Sequence, residues 1–206
     1  MKRVVWGAVL GAMAVLALGS APAHATSIVF TSPCTATVLC GGLNVSSTAA
    51  SGQNITIGSV TIAGAPTNNG TFAVTGTMAF NTNSGGTISI VGSIPTLGIS
   101  SPITLLQGTM PNFSIVQFTP TSGHITASGP DTKAAALLSA IGLSANTQFN
   151  YFGFVIGFNK NGVTGIYDVA GAQITNQTPE PASLLLLGSG LVAMALLMRR
   201  KVFSLA

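Results

Sequence analysis

The chain has 206 residues, room for one folded domain plus processing segments, and only ten of them are Asp, Glu, Lys or Arg. That is 5% charge, against about 25% in an ordinary soluble domain. Net charge is +4 and belongs to the two ends, leaving only Asp131, Lys133, Lys160 and Asp168 between residues 26 and 178; no basic face is available there for nucleic acid.

The chain opens with Lys2 and Arg3, continues with an apolar run from Val4 to Leu18, and then passes into small residues ending Ala23-His24-Ala25. A positive n-region, an apolar h-region and an A-x-A site make a secretory signal peptide over residues 1–25. Signal peptidase is expected to read the small side chains of Ala23 and Ala25 and to cut before Thr26. The middle section, rich in Thr, Ser, Asn and Gly, is hydrated by hydroxyls and amides; weak charge repulsion favours self-association.

Cys34 and Cys40 are the only cysteines. In a chain exported to an oxidising compartment they are expected to form a disulfide. Metal binding would need more ligands, and the mature chain adds only His124, so no metal or cofactor is expected.

Period-two alternation predicts strands over Asn54 to Ile62 (with a slip near Gly58), Thr71 to Phe80 and Thr87 to Ile94. Further strands are expected around Ser114 to Thr119, His124 to Ser128 and Gln148 to Phe158. In the last of these, Phe152, Phe154, Ile156 and Phe158 share one face and are read as core. Asn161-Gly162 supplies a turn, and Val163 to Val169 returns. One short helix is expected, capped by Asp131, carrying Ala134, Leu137, Leu138 and Ile141 inward, and ended by Gly142. The fold class that follows is mainly β: an antiparallel sandwich or an open barrel-like sheet with one short helix, spanning residues 26–178.

The C-terminal segment reads Pro179-Glu180-Pro181, then Ala182 to Met198 without a charge, then Arg199-Arg200-Lys201. Seventeen apolar or small residues make a helix of about 25 Å, at the short limit for a bilayer core. Leu184 and Leu191 favour the helix, Gly188 and Gly190 are tolerated in lipid, and the basic cluster stays cytoplasmic as a stop. Residues 179–206 therefore read as a sorting segment with a transmembrane helix and basic tail.

Thr178 to Lys201 resembles the PEP-CTERM sorting signal, whose members carry Pro-Glu-Pro, a Gly-containing membrane stretch and a terminal Arg-rich cluster. Pro179, Glu180 and Pro181 match the motif itself, Ala182-Ser183 fits its continuation, and the tail to Ala206 departs slightly from it. The resemblance implies processing by an exosortase, a membrane-embedded cysteine transpeptidase. It also implies transient membrane anchoring, a Gram-negative cell surface or extracellular destination, and an exopolysaccharide or biofilm setting.

No catalytic set is expected. Paired-carboxylate hydrolysis needs two acids brought together, and Asp131 and Asp168 read as a helix cap and an exposed hairpin residue. Ser122, His124 and Asp131 can be written as a triad, but no nucleophile-elbow motif accompanies them, and Asn159 to Gly162 lacks the carboxylates of a calcium loop. The expected role is a non-enzymatic structural or adhesive envelope protein. Its competitors are a glycan- or surface-component-binding module, with Tyr151 and Tyr167 as stacking candidates, and a hydrolase built on the sparse polar residues.

Overall fold

In the computed structural model the described residues are 25–35, 40–83, 85–147, 149–160 and 167–178. The expectations on Ala23, on the Asn161-Gly162 turn and on everything from Pro179 onward, including Glu180, Pro181, Leu184, Gly188, Gly190, Leu191, Arg199, Arg200 and Lys201, lie outside them. Ten strands form: β1 (Ser27–Thr31), β2 (Gly42–Val45), β3 (Ala50–Ala63), β4 (Gly70–Asn81), β5 (Thr87–Ile94), β6 (Ile99–Thr109), β7 (Asn112–Thr119), β8 (Ser122–Lys133), β9 (Phe149–Lys160) and β10 (Tyr167–Gln177). A single-turn 3-10 helix (Pro95–Leu97) and one short α-helix, α1 (Ala135–Ala140), complete the described elements. No helix among the described residues is long and apolar enough to cross a membrane.

All strand pairings are antiparallel, and the sheet closes on itself as an eight-stave barrel. This corrects the expectation of a sandwich or an open sheet. Closure comes from β1 and β2, which both lie between β3 and β10 and share one stave. The ring continues through β4, β5, β6, β8 and β9 back to β10. Closing the ring pairs each stave on both sides over most of its length, which removes most of the exposed sheet edge. β7 continues the line of β6 along the same side of β8, opposite β9, and runs on past Thr109, where the pairing of β5 with β6 ends.

The shared stave explains the disulfide. β1 stops at Thr31 and β2 resumes in the same direction at Gly42, both paired with β3. Cys34 and Cys40, which lie between them in sequence, are bonded with Cα atoms 5.5 Å apart. A loop this short contributes about 2–3 kcal/mol through the unfolded chain. Just before β2, the Val169 N–H donates to the Gly41 carbonyl at 3.2 Å.

Alternation puts the apolar phase of each strand inside. On β9, Phe152, Phe154, Ile156 and Phe158 are at most 1% exposed, whereas Tyr151 and Val155 on the other face are 58% and 47% exposed. Each such burial stabilises by about 1.5–3 kcal/mol. β3 follows the barrel wall through two register shifts against β4: after Gly52 the extra residue is on β3, and at Gly58 it is on β4. Asn54 takes up the first in the left-handed region, at φ 55°. The interior is filled with side chains: Phe80 of β4 and Phe154 of β9, on opposite sides of the ring, meet with ring centroids 5.1 Å apart.

α1 lies over one end of the barrel. Leu137, Leu138 and Ile141 are buried in the common core, and the Asn68 side chain and the Thr67 N–H from the β3–β4 loop donate to the carbonyls of Ala140 and Ile141. Gly142, at φ 78°, ends the helix, with the Leu143 N–H reaching back to the Leu138 carbonyl as a C-terminal cap. Asp131 does not cap its start. Ala134 holds the N-cap position and makes no side-chain capping bond, because Asp131 is still part of β8 and faces the interior.

Candidate functional site

Two features of the barrel bear on function: the place where its two ends meet, and a polar cluster inside it. The ends meet through β1 and β10, paired from Ser27 opposite Gln177 to Thr31 opposite Gln173. One residue further out, the Thr26 N–H donates to Thr178 Oγ1 at 2.9 Å, and the Thr178 N–H donates to the Thr26 carbonyl at 2.9 Å. The Thr26 hydroxyl donates in turn to the Gly64 carbonyl at 3.2 Å. Thr26 is 3% exposed. Pro179 follows immediately, and having no N–H it cannot extend the ladder.

The interior cluster sits near the end covered by α1. Strand alternation turns Asp131 and Lys133 inward with Ile125, Ala127 and Gly129, and Asn176 inward with Ala172 and Ile174. Lys133 Nζ pairs with Asp131 Oδ2, and both side chains are fully buried. Asn176 Nδ2 donates to the same oxygen at 3.0 Å, and the Phe149 ring lies 4.9 Å from the ammonium. Asp131 Oδ1 and Asn176 Oδ1 are buried with no hydrogen-bond partner among the described residues. Gly108 stands opposite Asp131. A Cβ there would come within 2.9 Å of Asp131 Cβ and 3.0 Å of the Phe152 ring, so the glycine makes the room this cluster occupies.

Burial dominates the electrostatics. It raises the Asp131 pKa above the ordinary carboxylate value, against the opposing pull of Lys133 and the hydrogen bonds from Lys133 and Asn176. It lowers Lys133 to about 8, against the pull of Asp131. Both shifts favour the neutral amine and the neutral acid over the ion pair.

The remaining polar candidates are dispersed. Ser122 and His124 occupy the outward phase of β8 and Asp131 the inward phase, so the three do not converge. Asp168, expected at an exposed hairpin, is half-buried in β10 opposite Asn159 and Gly42. Tyr151 and Tyr167 do not form one platform: Tyr167 pairs with Lys160, nine residues along β9 from Tyr151, about 30 Å at strand rise. Among the described residues no three His, Cys, Asp or Glu side chains come together as a metal site. A shallow groove of about 390 Å³ at the end opposite α1 is lined by Asn44, Ser46, Ser51, Asn83 and Tyr167, among others.

Residues 177–201 match the family model of the PEP-CTERM protein-sorting motif. The chain carries a PEP-CTERM sorting signal. Comparison with curated proteins and with solved structures gives no match. The PEP-CTERM match begins at Gln177, a residue still paired with Ser27 in the barrel wall. The sorting segment therefore joins the folded unit at the clasp, with no spacer in the sequence between the last ladder bond and Pro179. The motif supports an exported protein that an exosortase processes, associated transiently with the membrane.

The PEP-CTERM residues were legible as a sequence pattern. The clasp and the cluster were not, although one signal for the cluster existed. Continuing the alternation from Ile125 and Ala127 through position 133 places Asp131 and Lys133 in the apolar phase, where a charged pair stands out.

Proposed function

We propose that the barrel is a non-enzymatic structural or adhesive unit of a Gram-negative envelope, delivered by its PEP-CTERM signal to the surface or to an exopolysaccharide and biofilm matrix. The observation that carries this reading is the direct junction between the β1–β10 clasp and the sorting segment at Thr178. A closed barrel with a filled interior and both ends tied together is suited to being held by one end, and its nearly uncharged exterior offers little repulsion to self-association. Intact mass of the protein from envelope and medium fractions of an exosortase-bearing host tests the reading. The expected product starts at Thr26 and ends near Pro179 to Pro181, and Pro179→Ala with Pro181→Ala blocks its formation. A product that keeps every residue through Ala206 in that host would overturn the proposal.

A second reading, a glycan-binding module, is favoured by the groove at the end away from α1. Asn44 and Asn83 supply amides, Ser46 and Ser51 hydroxyls, and Tyr167 a ring, the groups that hydrogen-bond and stack on sugars. Selective binding on a glycan array, lost in Tyr167→Ala, is the outcome that would put this reading ahead of a purely structural one.

A further inference from the structure

We propose that Lys133 and Asn176 are joined by an intramolecular isopeptide bond, formed inside the barrel with Asp131 moving the protons. The inference rests on the interior cluster alone and does not depend on the sorting reading. A primary amine and a carboxamide are brought to one carboxylate oxygen, Asp131 Oδ2, in a compartment closed to solvent. Asn176 is 1% and Asp131 7% exposed, and the Phe149 and Phe152 rings, with Gly108 opposite, complete the walls.

The chemistry balances without an external reagent. Lys133 gives a proton to Asp131 and becomes a neutral amine, the state burial favours at this position. Its lone pair adds to Asn176 Cγ, and the protonated Asp131 hydrogen-bonds to the oxyanion developing on Oδ1. Asp131 then carries a proton from Nζ to Nδ2 as general base and general acid. The Cγ–Nδ2 bond breaks and ammonia leaves; one C–N bond has been exchanged for another, with no change of oxidation state. The product removes the buried ion pair, whose desolvation is costly. It also gives the unpartnered Asn176 Oδ1 a donor in the Asp131 carboxylic acid.

The placement suits a tethered domain. β8 and β10 are not neighbours in the ring; β9 lies between them. A covalent link from Lys133 to Asn176 ties β10 across the interior, two residues before Thr178. Tension applied beyond Thr178 would otherwise peel β10 from its end one hydrogen bond at a time.

Peptide mapping of the full chain, expressed with export and extracted in detergent, tests this directly after reduction and trypsin digestion. The expected result is no cleavage after Lys133 and a branched peptide linking the Lys133 and Asn176 segments, lighter than their sum by about 17 Da, one ammonia. Asn176→Asp should give the same branch with loss of water, about 18 Da, while Lys133→Met and Asp131→Ala should give none. Cleavage after Lys133 with both segments at their sequence mass overturns the proposal, whether or not any variant folds. So does an ammonia loss that persists in Lys133→Met, which would be cyclisation of another asparagine. A branch that survives in Asp131→Ala removes Asp131 from the proton transfers.

Discussion

Thr26 and Thr178, 152 positions apart in sequence, clasp each other through two hydrogen bonds of 2.9 Å. One is backbone to backbone and the other runs from the Thr26 N–H to the Thr178 hydroxyl. The pair closes the barrel wall at the point where the sorting segment begins. The Pro-Glu-Pro residues follow directly in the sequence, so the last residue of the clasp is the residue before Pro179.

The hydroxyl half of the clasp can be removed alone. Thr178→Val keeps the branched shape and the backbone bond but leaves the Thr26 N–H, largely shielded from water, without its acceptor. A loss of about 1–2 kcal/mol is expected, read by urea unfolding. Thr178→Ser retains the hydroxyl and should stay within about 0.5 kcal/mol of the parent.

Gly129 of β8 stands against the corner where the chain passes from β6 to β7. A Cβ on Gly129 would lie 1.9 Å from the Thr109 carbonyl oxygen and 2.7 Å from Pro111 Cδ. Neither atom is the end of a flexible side chain, so the corner itself has to move. Gly129→Ala is expected to destabilise by about 1–3 kcal/mol, the usual range for overpacking, with a matching fall in thermal midpoint. Gly153→Ala on β9, where a Cβ meets nothing within 4 Å, is the control and should be nearly neutral.

How far the sequence announced all this depends on the range of the interaction. β4, β5 and β9 were legible because their inward residues recur at alternate positions along most of the strand, and β3 was legible between its breaks, the slip at Gly58 corresponding to a register shift. β6 was not, because Pro102 interrupts it and the adjacent Leu105 and Leu106 are both buried at a register shift. β1 and β2 are five and four residues long, too short for periodicity to show. Barrel closure rests on those two strands meeting β3 and β10, a pairing that no local pattern encodes. Asp131 was misread for a related reason. It lies four residues before a helix, where an acid commonly caps, and only its phase along β8 reveals that it points inward.

β7 is where the barrel remains open to a neighbour. It pairs with β8 alone among the described residues, and Phe113 and Val116 on it are 38% and 39% exposed. An edge with exposed apolar side chains and no charge is prone to pair with another copy. The wild-type protein is therefore expected to show concentration-dependent association in analytical ultracentrifugation. Val116→Lys should shift the population towards monomer without changing the unfolding midpoint. Equal association of the variant and the parent would move the contact elsewhere on the barrel.

The interior pair makes a pH prediction whose sign differs from that of a surface salt bridge. Lys133 has a folded pKa of about 8, below its value of about 10.5 in the unfolded chain. A depressed folded pKa means that the contribution is fully present above the unfolded value and is lost as pH falls through the folded one. Asp131 is shifted upward, so its contribution is present in acid and is lost as pH rises through its folded pKa. Near neutrality both terms oppose folding of an unlinked chain. Asn176→Ala cannot form the Lys133 bond, and its unfolding free energy is expected to rise by about 3 kcal/mol between pH 8 and 10.5. In the linked wild-type protein Lys133 is an amide and does not titrate, so its urea midpoint should stay nearly level over that interval. A wild-type curve that climbs in parallel with Asn176→Ala would mean that the amine is still free.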